Sequence, residues 1–407
     1  MLRLATLTLP LFLLAAPNEK PDTVVLKNGK EIHCRVLYED DSKVAYRQSG
    51  RHVKEVERSK VAEVHSIEGY MRTFLSRFAA LDHTDVAALA ELAEWAESVD
   101  LHGESRNLWL RILTLDPENE QAWTALGGSQ GRRGWRLKVR GRYKTLEQLR
   151  ERVADWDTAM ELPTAHYLIR TNIDPAKALD VSIDLERVHQ MFYDVIGQPM
   201  ELYPFEETPE LHIFAATDDA PHPPAPGWSA WYERIGNAVL VRGIDANPHE
   251  IRKAVVDLML TNSFRLPEAN HEGQLPRWAR EGIANAFAFA LRPSPGDIHM
   301  EKGVPYVEWF AQQAADEDVL ELKRLINAGR GAFRTGDDEA RFVRQAYTLV
   351  FFLLNADDGG YRERFLEYLQ SAFKGQGAAT HFEKTFGMKL EELQKPYEAY
   401  VRRIAGA

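Results

Sequence analysis

Cysteine is nearly absent: Cys34 is the only one in 407 residues, so no intramolecular disulfide can form in any redox compartment. Positive charge is in deficit, with 50 Lys and Arg against 61 Asp and Glu, a formal balance of −11. That balance excludes a general binder of nucleic acid or anionic membrane, which needs a positive surface. Past Ala16 no apolar run is long enough to cross a bilayer. The run from Leu4 to Ala16, behind a single Arg3, has the length of a signal-peptide core and is too short to span a membrane. It predicts a signal peptide over 1–16 and a secreted or periplasmic product, with no cysteine placed to carry a lipid anchor.

What is present reads as an ordinary globular chain, 44% apolar and 27% charged, long enough for about two to four domains. Within 22–68, Val24 to Leu26 run into Asn28-Gly29, a type I′ hairpin signal, and Ile32, Cys34 and Val36 alternate with polar residues. Some five short strands are expected there, with Cys34 buried. This segment is similar to SH3-like barrels, and His33, His52 and His65 within it lack metal-ligand spacing.

From 69 to 160 the period becomes helical, with Leu89, Leu92, Ala93 and Ala96 on one face of 85–98 and Leu108, Ile112 and Leu113 on one face of 104–114. The stretch Leu115-Asp116-Pro117 to Trp123-Thr124-Ala125-Leu126-Gly127 resembles a tetratricopeptide junction, over about one and a half repeats where a solenoid needs about three. A helical spacer is the expected outcome. Residues 131–144 are basic and aromatic, with Arg132, Trp135, Arg136, Lys138, Arg142 and Tyr143, and read as a solvated interdomain hairpin. A helix is expected over 145–160, capped by Thr145.

The C-terminal part, 161–407, carries the chemistry. Strands are expected at 166–171, 211–216 and 237–242, with a helix after Asp174-Pro175. Asn247-Pro248-His249-Glu250 then opens a second helix: Asn247 caps, Pro248 takes the first position and Glu250 reaches back in a capping box. Downstream stands Leu275-Pro276-Arg277-Trp278-Ala279-Arg280-Glu281-Gly282-Ile283-Ala284.

This last stretch resembles the motif Leu-Pro-x-Trp-Leu-x-Glu-Gly-Leu-Ala of gluzincin metallopeptidases of the peptidase-MA-like branch. The resemblance implies an α+β domain in which Glu281 matches the third zinc ligand. It also implies an edge strand that holds peptide by backbone pairing. The family's His-Glu-x-x-His would fall on Lys253, Ala254 and Asp257. Positions i and i+4 share a helix face, so two imidazoles there converge on zinc while the Glu takes a proton from bound water. A cation, a methyl group and a carboxylate now hold those places. Lys253 repels a dication and Ala254 has no titratable group.

The reading is therefore an α+β multidomain protein whose gluzincin-like domain has lost its ligands and general base. It predicts a non-catalytic binding or scaffolding protein with peptide or protein in the cleft, no cofactor, and Lys253 neutralising Glu281 and Asp257. Gly282 and Ala284 are expected to let the two motif helices pack closely, and Tyr347 to be a core tyrosine. The alternative is an active Zn2+ peptidase in which Asp257 and Glu281 bind metal, His249 or His271 completes the set, and Glu272 or Glu250 activates water. A third class is an interaction module built on the barrel and spacer.

Overall fold

The computed structural model describes residues 22–49, 52–132, 134–139, 141–200, 202, 208–223, 228–243, 247–263, 275–290, 305–315, 319–333 and 338–406. The expected signal segment, 1–16, lies outside them. The chain is α+β, with thirteen strands and fourteen α-helices among the described residues. None of these helices is long and apolar enough to cross a membrane.

Five strands come first: β1 (Asp22–Leu26), β2 (Glu31–Glu39), β3 (Lys43–Arg47), β4 (Lys54–Glu57) and β5 (Val61–His65). They form one antiparallel sheet in the order β4-β3-β2-β1-β5 around Val24, Ile32, Cys34, Val36 and Val44. Alternation places Cys34 inside, as its spacing predicts. The β1–β2 hairpin is present, but its turn is not type I′. That turn needs positive φ at both central residues, and of Asn28 and Gly29 only Gly29 has it (+81°).

Four helices follow, α1 (Ile67–Ala80), α2 (Val86–Ser98), α3 (His102–Leu115) and α4 (Glu120–Ala125), with a second core on Phe74, Leu89, Leu92, Ile112 and Trp123. Ser66, Asp85 and Asn119 cap α1, α2 and α4 by accepting from backbone N–H groups of the first turn. The basic stretch is a three-stranded meander rather than a single hairpin: β6 (Ser129–Gly131), β7 (Gly134–Val139) and β8 (Arg142–Lys144). Trp135 stacks on Trp123 at 6.2 Å, which seats the meander on the helices. Helix α5 (Leu146–Val153) begins at Thr145 with a full capping box and stops seven residues short of the expected end. The reason is tertiary: Met160–Pro163 is strand β9, paired antiparallel with β10 (Leu168–Thr171).

The C-terminal domain is built on a mixed sheet. Helix α6 (Pro175–Phe192) crosses from β10 to β11 (Glu210–Phe214), and β12 (Ala230–Glu233) and β13 (Ala238–Arg242) complete the order β12-β13-β11-β10-β9. The three inner strands run parallel and the outer two antiparallel. Helices α7 (Pro248–Asn262), α8 (Arg277–Ala290), α9 (Val307–Ala315), α10 (Leu322–Ile326), α11 (Glu339–Asn355), α12 (Arg362–Phe373), α13 (Ala379–Phe386) and α14 (Leu390–Ala405) then enclose the largest core.

Helix α8 is its axis, packed between α7 and α11. Trp278 is fully buried against Phe365, Tyr368 and Phe382. Gly282 serves a different contact from the one expected. A Cβ there would stand 2.4 Å from the carbonyl oxygen of Ala346, so the glycine admits α11 rather than α7. Tyr347, also on α11, is fully buried and accepts the backbone N–H of Tyr306 at 2.8 Å, as a core tyrosine does.

Candidate functional site: the cleft between the sheet edge and helices α7 and α8

A cleft of about 970 Å³ opens in the C-terminal domain. Strand β12 forms one wall through Ala230, Trp231, Tyr232 and Glu233, and it is an end strand of the described sheet. The opposite wall carries all three positions of the degenerate motif, Lys253, Ala254 and Asp257 on α7, together with Glu281 on α8. Asn247 holds the start of α7 by accepting from His249 N at 3.0 Å, so the cap stands as the sequence predicts. The capping box does not: Glu250 turns away and accepts from Ser229 N (2.8 Å) and Ser229 Oγ (2.7 Å), tying α7 to the entrance of β12. A partly buried carboxylate gains more from two donors at the sheet than from one backbone N–H already near solvent.

Lys253 and Glu281 do meet. Lys253 Nζ lies 3.0 Å from Glu281 Oε2, and Arg277, one turn earlier on α8, pairs with Glu281 Oε1. Glu281 is buried, so each oxygen of a desolvated carboxylate faces a cation. Asp257 is not part of this cluster, contrary to the expectation that Lys253 would neutralise both carboxylates. It points to Arg280, whose Nε donates to Asp257 Oδ1 at 2.6 Å while Nη2 donates to the Asp257 carbonyl at 3.0 Å. Arg280 is buried, and its guanidinium can satisfy several acceptors in one plane, which the Lys253 ammonium at the far oxygen cannot do. Ala254 lines the cleft beside them and presents only its methyl group.

His249 stacks on Phe289, ring centroids 3.8 Å apart. Burial, and then the charges of Lys253 and Arg252, push its imidazole down to about 4, with Asn285 acting weakly the other way. The ring is therefore neutral at pH 7. It is in hydrogen-bonding reach of the Asn285 side chain, and both line the cleft. Together they offer polar recognition deep in an aromatic-walled groove.

The alternative ligand set is not assembled by the described residues. Asp257 faces Arg280, His249 lies in its aromatic stack, and Glu250 is held by Ser229. His271 and Glu272 lie outside the described residues. Among the described residues the one group of three metal-type side chains with ligand atoms within 4.8 Å is elsewhere: Glu68, His166 and His189. Sequence reasoning missed that group and the cleft residues Trp231, Trp309, Asn285 and Arg280. Only one local signal was available for the first, the i,i+3 pair Glu186 and His189 on α6. No family model matches the chain, and no curated protein matches it.

Proposed function

We propose that the C-terminal domain is gluzincin-like, has given up zinc peptidase chemistry, and binds peptide or protein in its cleft. It would do so as part of a secreted or periplasmic modular protein with an SH3-like barrel and a tetratricopeptide-like spacer. The observation that carries this reading is the pairing of Glu281 with Lys253 and Arg277. Two fixed cations occupy the surroundings of the one matching ligand, and a divalent ion placed there would meet their repulsion at close range. With Ala254 in the base position, no group there can take a proton from water.

Binding needs none of the lost residues. The β12 edge supports backbone pairing with an extended segment. Tyr232 and Trp309 offer apolar surface, and Asn285 and His249 offer polar atoms at the floor. Charges of both signs line the groove, which favours a polypeptide over a uniformly charged polymer.

The test is a peptide library applied to the full chain, scored in parallel for retention and for cleavage, with and without chelator. Retention without cleavage, weakened by Trp309→Ala, is the expected result. Chelator-sensitive cleavage lost in Glu281→Ala would overturn the reading and establish a zinc peptidase with substituted ligands. A partner retained by residues before Glu161 alone would instead assign recognition to the barrel and spacer.

A further inference from the structure

The second ionic cluster lies where the N-terminal helices dock on the C-terminal domain. Glu68 is in the first turn of α1, His166 is in the turn between β9 and β10, and Glu186 and His189 are one turn apart on α6. The docking is fixed around them: Arg72 makes a two-pronged pair with Asp194 (2.9 and 3.1 Å), and Asn107 Nδ2 donates to the Pro163 carbonyl at 2.9 Å. Inside, His166 Nδ1 donates to Glu186 Oε2 at 2.6 Å and His166 Nε2 faces Glu68 Oε1 at 3.0 Å. The His189 ring stacks on His166 at 3.6 Å, and its Nδ1 meets the Tyr167 hydroxyl at 3.1 Å.

We propose that Glu68, His166 and His189 form a divalent-cation site of the zinc type that ties α1 to the C-terminal domain, with Glu186 and Tyr167 as the outer partners of the two imidazoles. Ligand atoms from the three side chains already lie within 4.8 Å of one another. His166 Nδ1 is engaged by the Glu186 carboxylate, which can only accept and so leaves Nε2 for the metal, the usual carboxylate–histidine–metal arrangement; His189 Nδ1, where it donates to the Tyr167 hydroxyl oxygen, likewise leaves Nε2 as the metal-binding nitrogen. Glu186 is itself held in place by the His166 backbone N–H (3.1 Å) and Thr164 Oγ1 (2.5 Å). Two nitrogens and one carboxylate oxygen suit zinc and disfavour the all-oxygen preferences of magnesium and calcium.

Geometry fixes the proton to be displaced: both ring nitrogens of His166 face carboxylate oxygens, which can only accept, so the ring donates from both.

The exchange balances: the dication takes the place of the proton on His166 Nε2 and one proton leaves, so the charge of the set rises by one. The two rings lie 14° from parallel, so capture of the metal requires His189 to tilt away from the stack.

The experiment uses the full chain, stripped with chelator and titrated with Co2+ and then Zn2+. The expected result is about one Co2+ per chain with the visible absorption of a four-coordinate site, displacement by Zn2+, and release of about one proton per metal. Glu68→Gln and His189→Gln should each weaken uptake on the order of a hundredfold, and Tyr167→Phe about tenfold. Glu281→Ala should leave uptake unchanged, which separates this site from the cleft. Near-UV circular dichroism of the metal-free variants reports folding. If a variant fails to fold, the wild-type titration and Tyr167→Phe still decide. Folded wild type that takes no metal, or uptake unaltered in Tyr167→Phe and in every folded ligand variant, would refute the site.

Discussion

The two buried ionic clusters use the same acid in opposite ways. In the cleft, Glu281 is closed by Lys253 and Arg277, which as cations have no lone pair to donate. At the domain junction, Glu68 and Glu186 are closed by His166, which on the proposed reading gives up its bridging proton to a metal. The counter-charge is what separates the two: fixed cations stand beside the motif that resembles a zinc site, and an imidazole stands at the junction.

Three perturbations probe that contrast. Glu281→Ala should have the largest effect, because it leaves Lys253 and Arg277 as neighbouring like charges, Arg277 being largely buried. A loss of roughly 3–5 kcal/mol in denaturant unfolding is expected. A loss below about 1 kcal/mol would mean that the pair is solvated and the contrast false.

Acidification comes next. His249 has a folded value of about 4 against 6.5 for the free side chain. Between those values the unfolded chain binds the proton and the folded chain does not, so this contribution is complete above pH 6.5 and is lost as pH falls toward 4. The loss is at most about 3 kcal/mol. The difference in unfolding free energy between wild type and His249→Asn should therefore shrink as pH falls through that window, and a difference independent of pH would contradict it.

Glu68→Gln in the metal-free chain should cost least, about 1–2 kcal/mol, since an amide oxygen can still accept from His166 Nε2. Thermal unfolding in the presence of chelator measures it. A cost equal to that of Glu281→Ala would show that the junction is as rigidly charge-locked as the cleft.

Much of this was legible in the residues. The alternation of Ile32, Cys34 and Val36 placed β2, Asp85 and Asn247 marked helix starts, and 339–355 carried a buried stripe that is α11. Lys253 and Glu281 could be paired by charge alone once the two motifs were aligned. Other features were not legible. Strands β9 and β12 have four residues each, one ending on a proline and one on Trp-Tyr-Glu, too short for a period to show. Helix α13 has eight residues and had no expected element over it. Arg277 and Arg280 had no role assigned from the sequence, yet they decide which carboxylate each motif position meets. Asp257 was misassigned for that reason.

By itself the sequence determined the element types, the helix caps, the want of ligands at Lys253 and Ala254, and the negative balance of charge. Each depends on residues within a few positions of one another, where periodicity and side-chain chemistry act directly. Only the tertiary structure decided that Gly282 opens toward Ala346, that Glu250 serves Ser229, and that Glu68 meets His166 across 98 residues of chain. Those are contacts between separate elements, set by how whole faces are buried together. Local pattern carries no information about which distant side chain will arrive at a given face.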